Sequence, residues 1–588
     1  MGCRVVLILC CLGLALDARA VAAPKSAAGR YEAIASAHPL ATAAGMQVLA
    51  QGGNAFDAAI AVSAALGVVE PYSSGIGGGG FWLLQPRGGE PVLLDGREVA
   101  PQAATADMYL DAQGQVVPRL SVDGALAAGI PGAPAAWIHL AQHYGRLRLS
   151  QSLAPAIHLA QHGFAVDAVL ARHIAERKEA LLAAGEAGKV FFANGMPLAQ
   201  GAILRQPHLA RTLLRLALGG WRGFYDGPTA QTLVDGVRAA GGIWTLDDLS
   251  AYQVKERMAL RACMLTLCLL TAPPPSAGGI TLLETAAILE QLGPLPPAGV
   301  QRVHLVVEAW RRAYRDRVLY VGDPDFVEVP VARLVSASHA RELAATIEPD
   351  RATPSTALGE GLDASSGDHT SHYVIMDQEG NMVSATQTIN TIFGSGLMPV
   401  GTGVMLNNEM DDFVAKPGEP NVYGLVGSSA NAIAPGKRMV SSLSPTIAFV
   451  QDTSGSTRTL LIGTPGGSRI PSMVFLGLLA LLDGLDPQAI VSAPRYHHQY
   501  LPDRIEYERD AFDVSAQQAL AAMGYALMGI EPYGNMQAIM FTGSWEKPQE
   551  VQAVSDPRGI GQAQVRRVAR PIRTHALAAW AKKGTALP

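Results

Sequence analysis

The apolar positions of this chain follow two rhythms. Met46, Val48 and Leu49 make one apolar cluster, Gly52-Gly53-Asn54 interrupts it, and residues 57–69 are nearly all Ala, Val, Ile and Leu. That pattern predicts a helix, a stop and a second helix buried on most sides. Residues 303–320 predict a long helix with Val306, Trp310, Ala313 and Tyr314 inward and Glu308 and Arg312 paired four apart on the outside. Residues 470–482 predict an apolar helix too short to span a membrane. Shorter runs predict strands: 81–84, 91–95, 263–268, 371–377 and 382–389. The last two flank Gln378-Glu379-Gly380-Asn381, a hairpin signal. Residues 403–407, 444–450 and 459–462 continue the sheet, and 537–542 and 551–554 are late strands. Strands enclosed by long helices suit an α+β fold with sheets packed between helical layers.

Composition narrows the partners. The 588 residues are 49% hydrophobic and 16% charged, enough for a large core. The formal net charge is −5, so nothing favours nucleic acid. At the N-terminus, Arg4, an apolar run over 5–16 and Ala18-Arg19-Ala20 predict a cleaved signal peptide, residues 1–20. The mature protein is then periplasmic or secreted; a retained anchor is the alternative. Cys3, Cys10 and Cys11 leave with that segment. Cys263 and Cys268, five apart on one strand, point to opposite faces and are expected as unpaired buried thiols. His497-His498 also point apart on a strand, with no partner at ligand spacing. They are expected to be structural, and no metal site is predicted.

Candidate chemistry gathers in loops. Residues 75–80 satisfy G-x-G-x-x-G but follow a helix and open a strand, the wrong context for a dinucleotide. A backbone packed tightly against another is the better reading. Arg97, just past a strand, is either a solvated loop residue or an anion contact at a sheet edge. Pro273 to Gly279 is a rigid turn, and residues 350–368 are a polar linker running into Thr370. Taken alone, Thr370 is the first residue of a strand, and Gly466-Gly467 a strand-to-helix turn.

In combination these stretches say more. Thr370-Ser371-His372-Tyr373, Asn407-Asn408-Glu409-Met410-Asp411-Asp412-Phe413, Asn421-Val422-Tyr423-Gly424, Ser441-Ser442-Leu443-Ser444-Pro445 and Pro465-Gly466-Gly467-Ser468-Arg469 follow in order. Upstream stand His38-Pro39-Leu40-Ala41, Gly52-Gly53-Asn54-Ala55, the loop at 75–81, Arg97-Glu98 and Gly322-Asp323-Pro324-Asp325. Together they resemble the gamma-glutamyltranspeptidase family of N-terminal-nucleophile hydrolases. The resemblance implies a four-layer αββα sandwich and self-cleavage between His369 and Thr370. It implies a large subunit (21–369) and a small one (370–588) that stay together as a heterodimer. No cofactor is implied.

The chemistry implied is acyl transfer. A Thr hydroxyl is a weak nucleophile, but an N-terminal Thr carries its own base, an amine of pKa about 7.7–8.0. By resemblance, Thr388 bonds the Thr370 hydroxyl, and Gly466 and Gly467 supply the oxyanion hole. Arg97, Ser441 and Ser442 match positions for the substrate carboxylate; Asn390, Glu409 and Asp412 match those for its ammonium. Many members carry Gln where this chain has Glu409, and Ser371 replaces a common Thr. Residues 417–428 resemble a lid with Tyr423 at its tip. The expected activity is cleavage of gamma-glutamyl amides such as glutathione, with transfer to water, amino acids or peptides. Two alternatives stand: an acylase for glutaryl or cephalosporin amides, and an uncut, inactive homologue that binds glutamyl peptides.

Overall fold

The computed structural model describes residues 26–29, 31–183, 185–358, 370–451, 457–544 and 547–568. The predicted signal peptide, His369 and most of the predicted linker lie outside them.

Two seven-stranded sheets form the centre. The first runs, in spatial order, Gln562–Arg567, Tyr31–Ser36, Ser371–Met376, Met382–Thr388, Gly79–Gln85, Val92–Gly96 and Lys255–Met258, every neighbour antiparallel. The second runs Ser26–Gly29, Lys547–Ser555, Gln537–Ser544, Thr457–Gly463, Thr446–Gln451, Leu267–Thr271 and Leu260–Met264. Strand periodicity shows how the layers stack, because successive side chains face opposite ways. Trp82, Leu84, Tyr373 and Ile375 enter a core shared with the helices Pro39–Ala50 and Ala55–Val69. Phe81, Leu83, Val374 and Met376 enter a second core, with Ile447, Leu461 and Ile539 of the other sheet. Beyond that sheet lie the helices Gly278–Gln291, Val300–Tyr320 and Ile470–Leu482. The order is helix, sheet, sheet, helix, the expected four-layer α+β sandwich.

Local signals explain most elements. Asn54 caps its helix by accepting from the N–H groups of Phe56 and Asp57, and Asp57 returns a bond to Asn54 N. In the central hairpin, Asp377 accepts from the N–H groups of Glu379 and Asn381 and from Ala55 N. The turn is thereby tied to the first helical layer. The glycine run behaves as expected: a Cβ on Gly77 would lie 2.1 Å from Met405 O, and one on Gly78 2.1 Å from Thr388 O. Only glycine permits that approach.

Three expectations fail. Residues 263–268 are not one strand. They span a hairpin whose turn residues, Leu265 and Thr266, have φ of 55° and 67°. Cys263 and Cys268 therefore face each other across the ladder and form a disulfide, on strands near the surface. Leu-Thr gives none of the Asn-Gly signal such a turn usually carries. Secondly, Glu308 and Arg312 are buried. Arg312 Nη1 donates to Glu308 Oε2 at 2.7 Å, and Thr353 N and Tyr525 OH donate to Glu308 Oε1. Distant segments cover a face that local spacing assigns to water. Thirdly, residues 403–407 form no strand. Gly403 (φ 66°) abuts the backbone of Leu209, and Leu406 makes a single bridge to Gly77.

His497 and His498 are buried and hydrogen-bonded, as expected. His497 meets Ser472 Oγ (2.6 Å) and Gln499 Oε1 (2.8 Å); His498 meets Asp503 Oδ1 (3.3 Å). His372 lies between the sheets against Gly463, with Nδ1 2.8 Å from Thr386 Oγ1.

Two predictions follow from this packing. Burial holds the imidazoles of His372 and His497 down to about 3, and that of His498 down to about 4. Each stays neutral when folded but protonates near 6.5 when unfolded, so stability present above about pH 6.5 is lost as pH falls toward 3–4. Chemical denaturation at pH 7 and pH 5 should differ by about 2 kcal/mol per buried imidazole, and His372→Gln should reduce that difference. A chain lacking residues 1–20, unfolded without reductant, should show no titratable thiol and, after reduction, the two of Cys263 and Cys268.

Candidate active site

Sheet register assembles the site. Ser371 pairs with Gln387, and Thr388 with Gly79. Thr370, one residue before its strand, therefore falls beside Thr388 at the same sheet end. Thr370 is buried, and its Oγ1 donates to Thr388 Oγ1 at 3.3 Å. Thr388 Oγ1 also accepts from Asn390 N (2.8 Å). Asn390 adopts a left-handed φ of 76°; its Nδ2 donates to Asn408 O (2.9 Å), and its carbonyl accepts from Tyr423 OH (2.8 Å). The predicted lid tip is thus closed over the threonine pair, and Tyr423 is buried.

Arg97 reaches the same place from Val92–Gly96, whose Gly96 pairs with Gly80. It is 1% exposed, so the solvated-loop reading does not hold. Its Nη1 lies 2.5 Å from Glu409 Oε2 and 3.6 Å from Glu98 Oε2, and its Nη2 donates to Asp412. Arg97 meets Glu98 and Glu409 as ion pairs without hydrogen-bond alignment, and the Glu409 and Asp412 carboxyl groups lie against each other. One guanidinium thus faces two buried carboxyl groups and a third, that of Asp412, that is partly buried. Burial raises Glu98 to about 8 against the pull of Arg97, and raises Glu409 and Asp412 above the usual carboxylate range. Burial works against the charge of Arg97, but Glu409, Asp412 and Glu98 outweigh it and raise its pKa.

The second sheet supplies the opposite wall. Gly466 (φ 143°) and Gly467 (φ 53°) follow Thr457–Gly463 and lead into Ile470–Leu482 through a single 3-10 turn. Left-handed φ at Gly467 explains the glycine there. Tyr314 OH donates to Ser468 O (2.6 Å) and pins the turn. Ser441 Oγ accepts from Leu443 N (3.1 Å), and Ser442 Oγ accepts from Arg317 Nη2 (3.1 Å).

A cavity of about 290 Å³ lies among these groups. Thr370, Thr388, Arg97, Asn390, Glu409, Asp412, Tyr423, Ser441, Ser442 and Gly467 all line it. Gly466 stands one residue behind the wall. A second cavity, of about 820 Å³, opens on the other side of Thr370, beside Glu70, Tyr72 and His173. Sequence reasoning missed Glu70, whose Oε2 accepts from Ser371 Oγ (2.8 Å), and Arg317, which steadies Ser442. It quoted Glu98 without giving it a role. No local pattern marks Glu70 or Arg317, because each is the ordinary end or face of a helix until the fold buries it. The arrangement offers a hydroxyl, a cation, excess carboxyl groups and backbone N–H groups within one small volume. It suits a substrate with an acyl carbon at one end and a zwitterion at the other.

A family model described as gamma-glutamyltranspeptidase matches residues 41–565. The glutathione hydrolase proenzyme of Pseudomonas sp. (strain A14) is 40% identical over 512 residues, 86% of this chain and 88% of that protein. That of Escherichia coli (strain K12) is 39% identical over 532 residues, 90% of each. The crystal structure of cephalosporin acylase from Bacillus halodurans superposes with a TM-score of 0.80 at 28% identity, over 94% of this chain and 100% of its own. With the match running through every segment that lines the cavity, the chain belongs to the gamma-glutamyltranspeptidase family.

Proposed function

We propose that the chain severs its His369–Thr370 bond and then uses Thr370 to cleave gamma-glutamyl amides of the glutathione class. The observation that carries this reading is the Thr370 hydroxyl sharing one small cavity with Arg97 and two of its carboxyl partners, Glu409 and Asp412. In the first step the Thr370 hydroxyl attacks the His369 carbonyl, and water hydrolyses the resulting ester. The freed alpha-amine then serves as base for the same hydroxyl.

In turnover the Thr370 oxygen attacks the gamma-carbonyl carbon, and the amine takes the hydroxyl proton. N–H groups at Gly466 and Gly467, at the start of a helix, receive the oxyanion. The amide C–N bond breaks, the proton passes to the leaving amine, and a gamma-glutamyl ester of Thr370 remains. Water, an amino acid or a peptide attacks that ester and restores the hydroxyl.

Electrostatics favours a glutamyl group. Before substrate enters, Arg97 is paired with Glu409 and Asp412. A substrate carboxylate can take Arg97, Ser441 and Ser442, while the substrate ammonium takes Glu409, Asp412 and Asn390. The internal pairs of Arg97 with Glu409 and Asp412 are exchanged for pairs with the substrate's two charges, and no buried charge loses its partner. A glutaryl side chain brings the carboxylate but not the ammonium, and would leave the carboxyl groups unmatched. That disfavours the acylase alternative. Tyr423, bonded over the threonine pair, is assigned to the lid.

The two fragments would stay together after cleavage. Ser371–Met376 pairs with Tyr31–Ser36, Met382–Thr388 with Gly79–Gln85, and Thr446–Gln451 with Leu267–Thr271. Each ladder joins one side of the cut to the other. Export with removal of residues 1–20 is part of the same proposal. Among the described residues no helix is long and apolar enough to cross a membrane.

Intact mass spectrometry of the purified protein should give two fragments with the break before Thr370, and Thr370→Ala should give one. A single wild-type polypeptide with full turnover would rule the scheme out, and a single one without turnover would leave the uncut, inactive homologue. In kinetics, Asp412→Asn should lower kcat/KM for a gamma-glutamyl anilide at least about 30-fold, because it breaks a buried charge pair. Turnover of a glutaryl anilide should change far less. Equal losses on both substrates would remove Asp412 from ammonium recognition.

A further inference from the structure

Far along the chain from Thr370, three helices bring together a second set of buried polar groups. Gly278–Gln291 contributes Glu284, Val300–Tyr320 contributes Asp316, and Ala337–Ala344 contributes His339. One ligand atom from each lies within 4.8 Å of the others, and all three side chains are buried. His339 Nε2 is 2.6 Å from Asp316 Oδ2 and 3.5 Å from Glu284 Oε1. Nothing in the proposed acyl-transfer chemistry uses these residues.

We infer that Glu284, Asp316 and His339 form a structural divalent-metal site, with zinc the ion that their ligand set fits. The cluster alone would not carry this. The second observation is Glu284 itself. It is 0% exposed, neither carboxylate oxygen accepts from an N–H or hydroxyl donor among the described residues, and the Asp316 carboxyl beside it adds like charge. A buried carboxylate in that condition needs a proton or a cation. A proton satisfies one oxygen, whereas a metal ion takes both.

The surroundings fit a metal in three ways. Asp316 divides its oxygens: Oδ1 is 3.2 Å from Arg315 Nη1, leaving Oδ2 for the cluster. His339 Nδ1, the nitrogen away from the cluster, is 4.0 Å from the exposed Glu342 carboxylate, the kind of partner that orients a metal-bound imidazole. One imidazole nitrogen, one Asp oxygen and the two Glu oxygens complete four ligands without water, a closed and therefore structural site. Around zinc, ligand atoms from different residues stand about 3.3 Å apart, from bond lengths of about 2.0–2.2 Å, while the two oxygens of the chelating Glu284 carboxylate sit closer and distort the tetrahedron. The observed 3.5 and 2.6 Å bracket that spacing, so a small rotation of Asp316 suffices. Arg315 and Arg333 are the cations that act on Glu284 from nearby and would weaken the site. Arg315 is already engaged by Asp316 and Leu358 O, and Arg333 lies over the Tyr320 ring.

Such an ion would pin the helix that carries Arg317, one residue beyond Asp316 and the donor to Ser442 in the active-site cavity. The test uses the mature, folded protein after dialysis against a chelator. Titration with zinc chloride, read by calorimetry and by elemental analysis of the desalted protein, should give about one zinc per chain. Cobalt in its place should give the visible absorption of a tetrahedral site. Glu284→Gln and His339→Gln should each lose that zinc and that spectrum. Zinc should raise the thermal midpoint of the wild type and not that of the variants. Failure of the wild type to retain zinc overturns the proposal and leaves a proton-shared cluster. Wild-type stoichiometry in both variants also overturns it, since the ion then sits elsewhere. If Glu284→Gln does not fold, His339→Gln and the wild-type titration decide alone.

Discussion

The antiparallel register between Ser371–Met376 and Met382–Thr388 is the constraint on which the molecule depends. It places Thr370 beside Thr388 at one sheet end, and a slip of one residue would turn every side chain of the strand to the opposite layer. The register is held from both sides. Tyr373 and Ile375 fill one core, Val374 and Met376 the other, and Asp377 anchors the turn to the first helical layer. Gly77 and Gly78 then let the next segment press its backbone against Met405 and Thr388. The 3.3 Å contact between the two threonine hydroxyls is the end point of that packing.

The same sheet end concentrates charge where the interior tolerates little. Arg97 with Glu98, Glu409 and Asp412 is costly to bury, and the raised carboxyl pKa values register the cost. Such a cluster adds little stability. In the proposed function its value lies in recognition, because a zwitterionic end group can replace internal pairs one for one. Glu409, where many family members carry Gln, adds one more carboxyl group to that set. The buried Glu284–Asp316–His339 cluster shows the same physics, and there two carboxyl groups set side by side point to an ion.

Much of this was legible in the sequence. Helices with strong periodicity and the central hairpin emerge where expected, because local spacing decides which face is apolar. The residues that gather around the cavity were legible as well, but only through many motifs taken in order. Singly, Thr370 is a strand residue and Arg97 an ordinary loop cation. Composition offered no reason to expect nucleic acid as a partner.

Tertiary structure alone decided the rest. Glu308 and Arg312 obey a surface pattern yet lie buried, because the segment through Thr353 and the distant Tyr525 cover them. Cys263 and Cys268 join because two residues at positive φ turn one apparent strand into two, which no residue type there announces. Glu70, Glu98, Arg317 and Glu284 acquire meaning only from neighbours far away in the chain. The sequence by itself determined most of the helices and strands and which family they compose, since those follow from local order. Burial and charge partnership depend on what packs across from a residue, and only the folded chain supplies that.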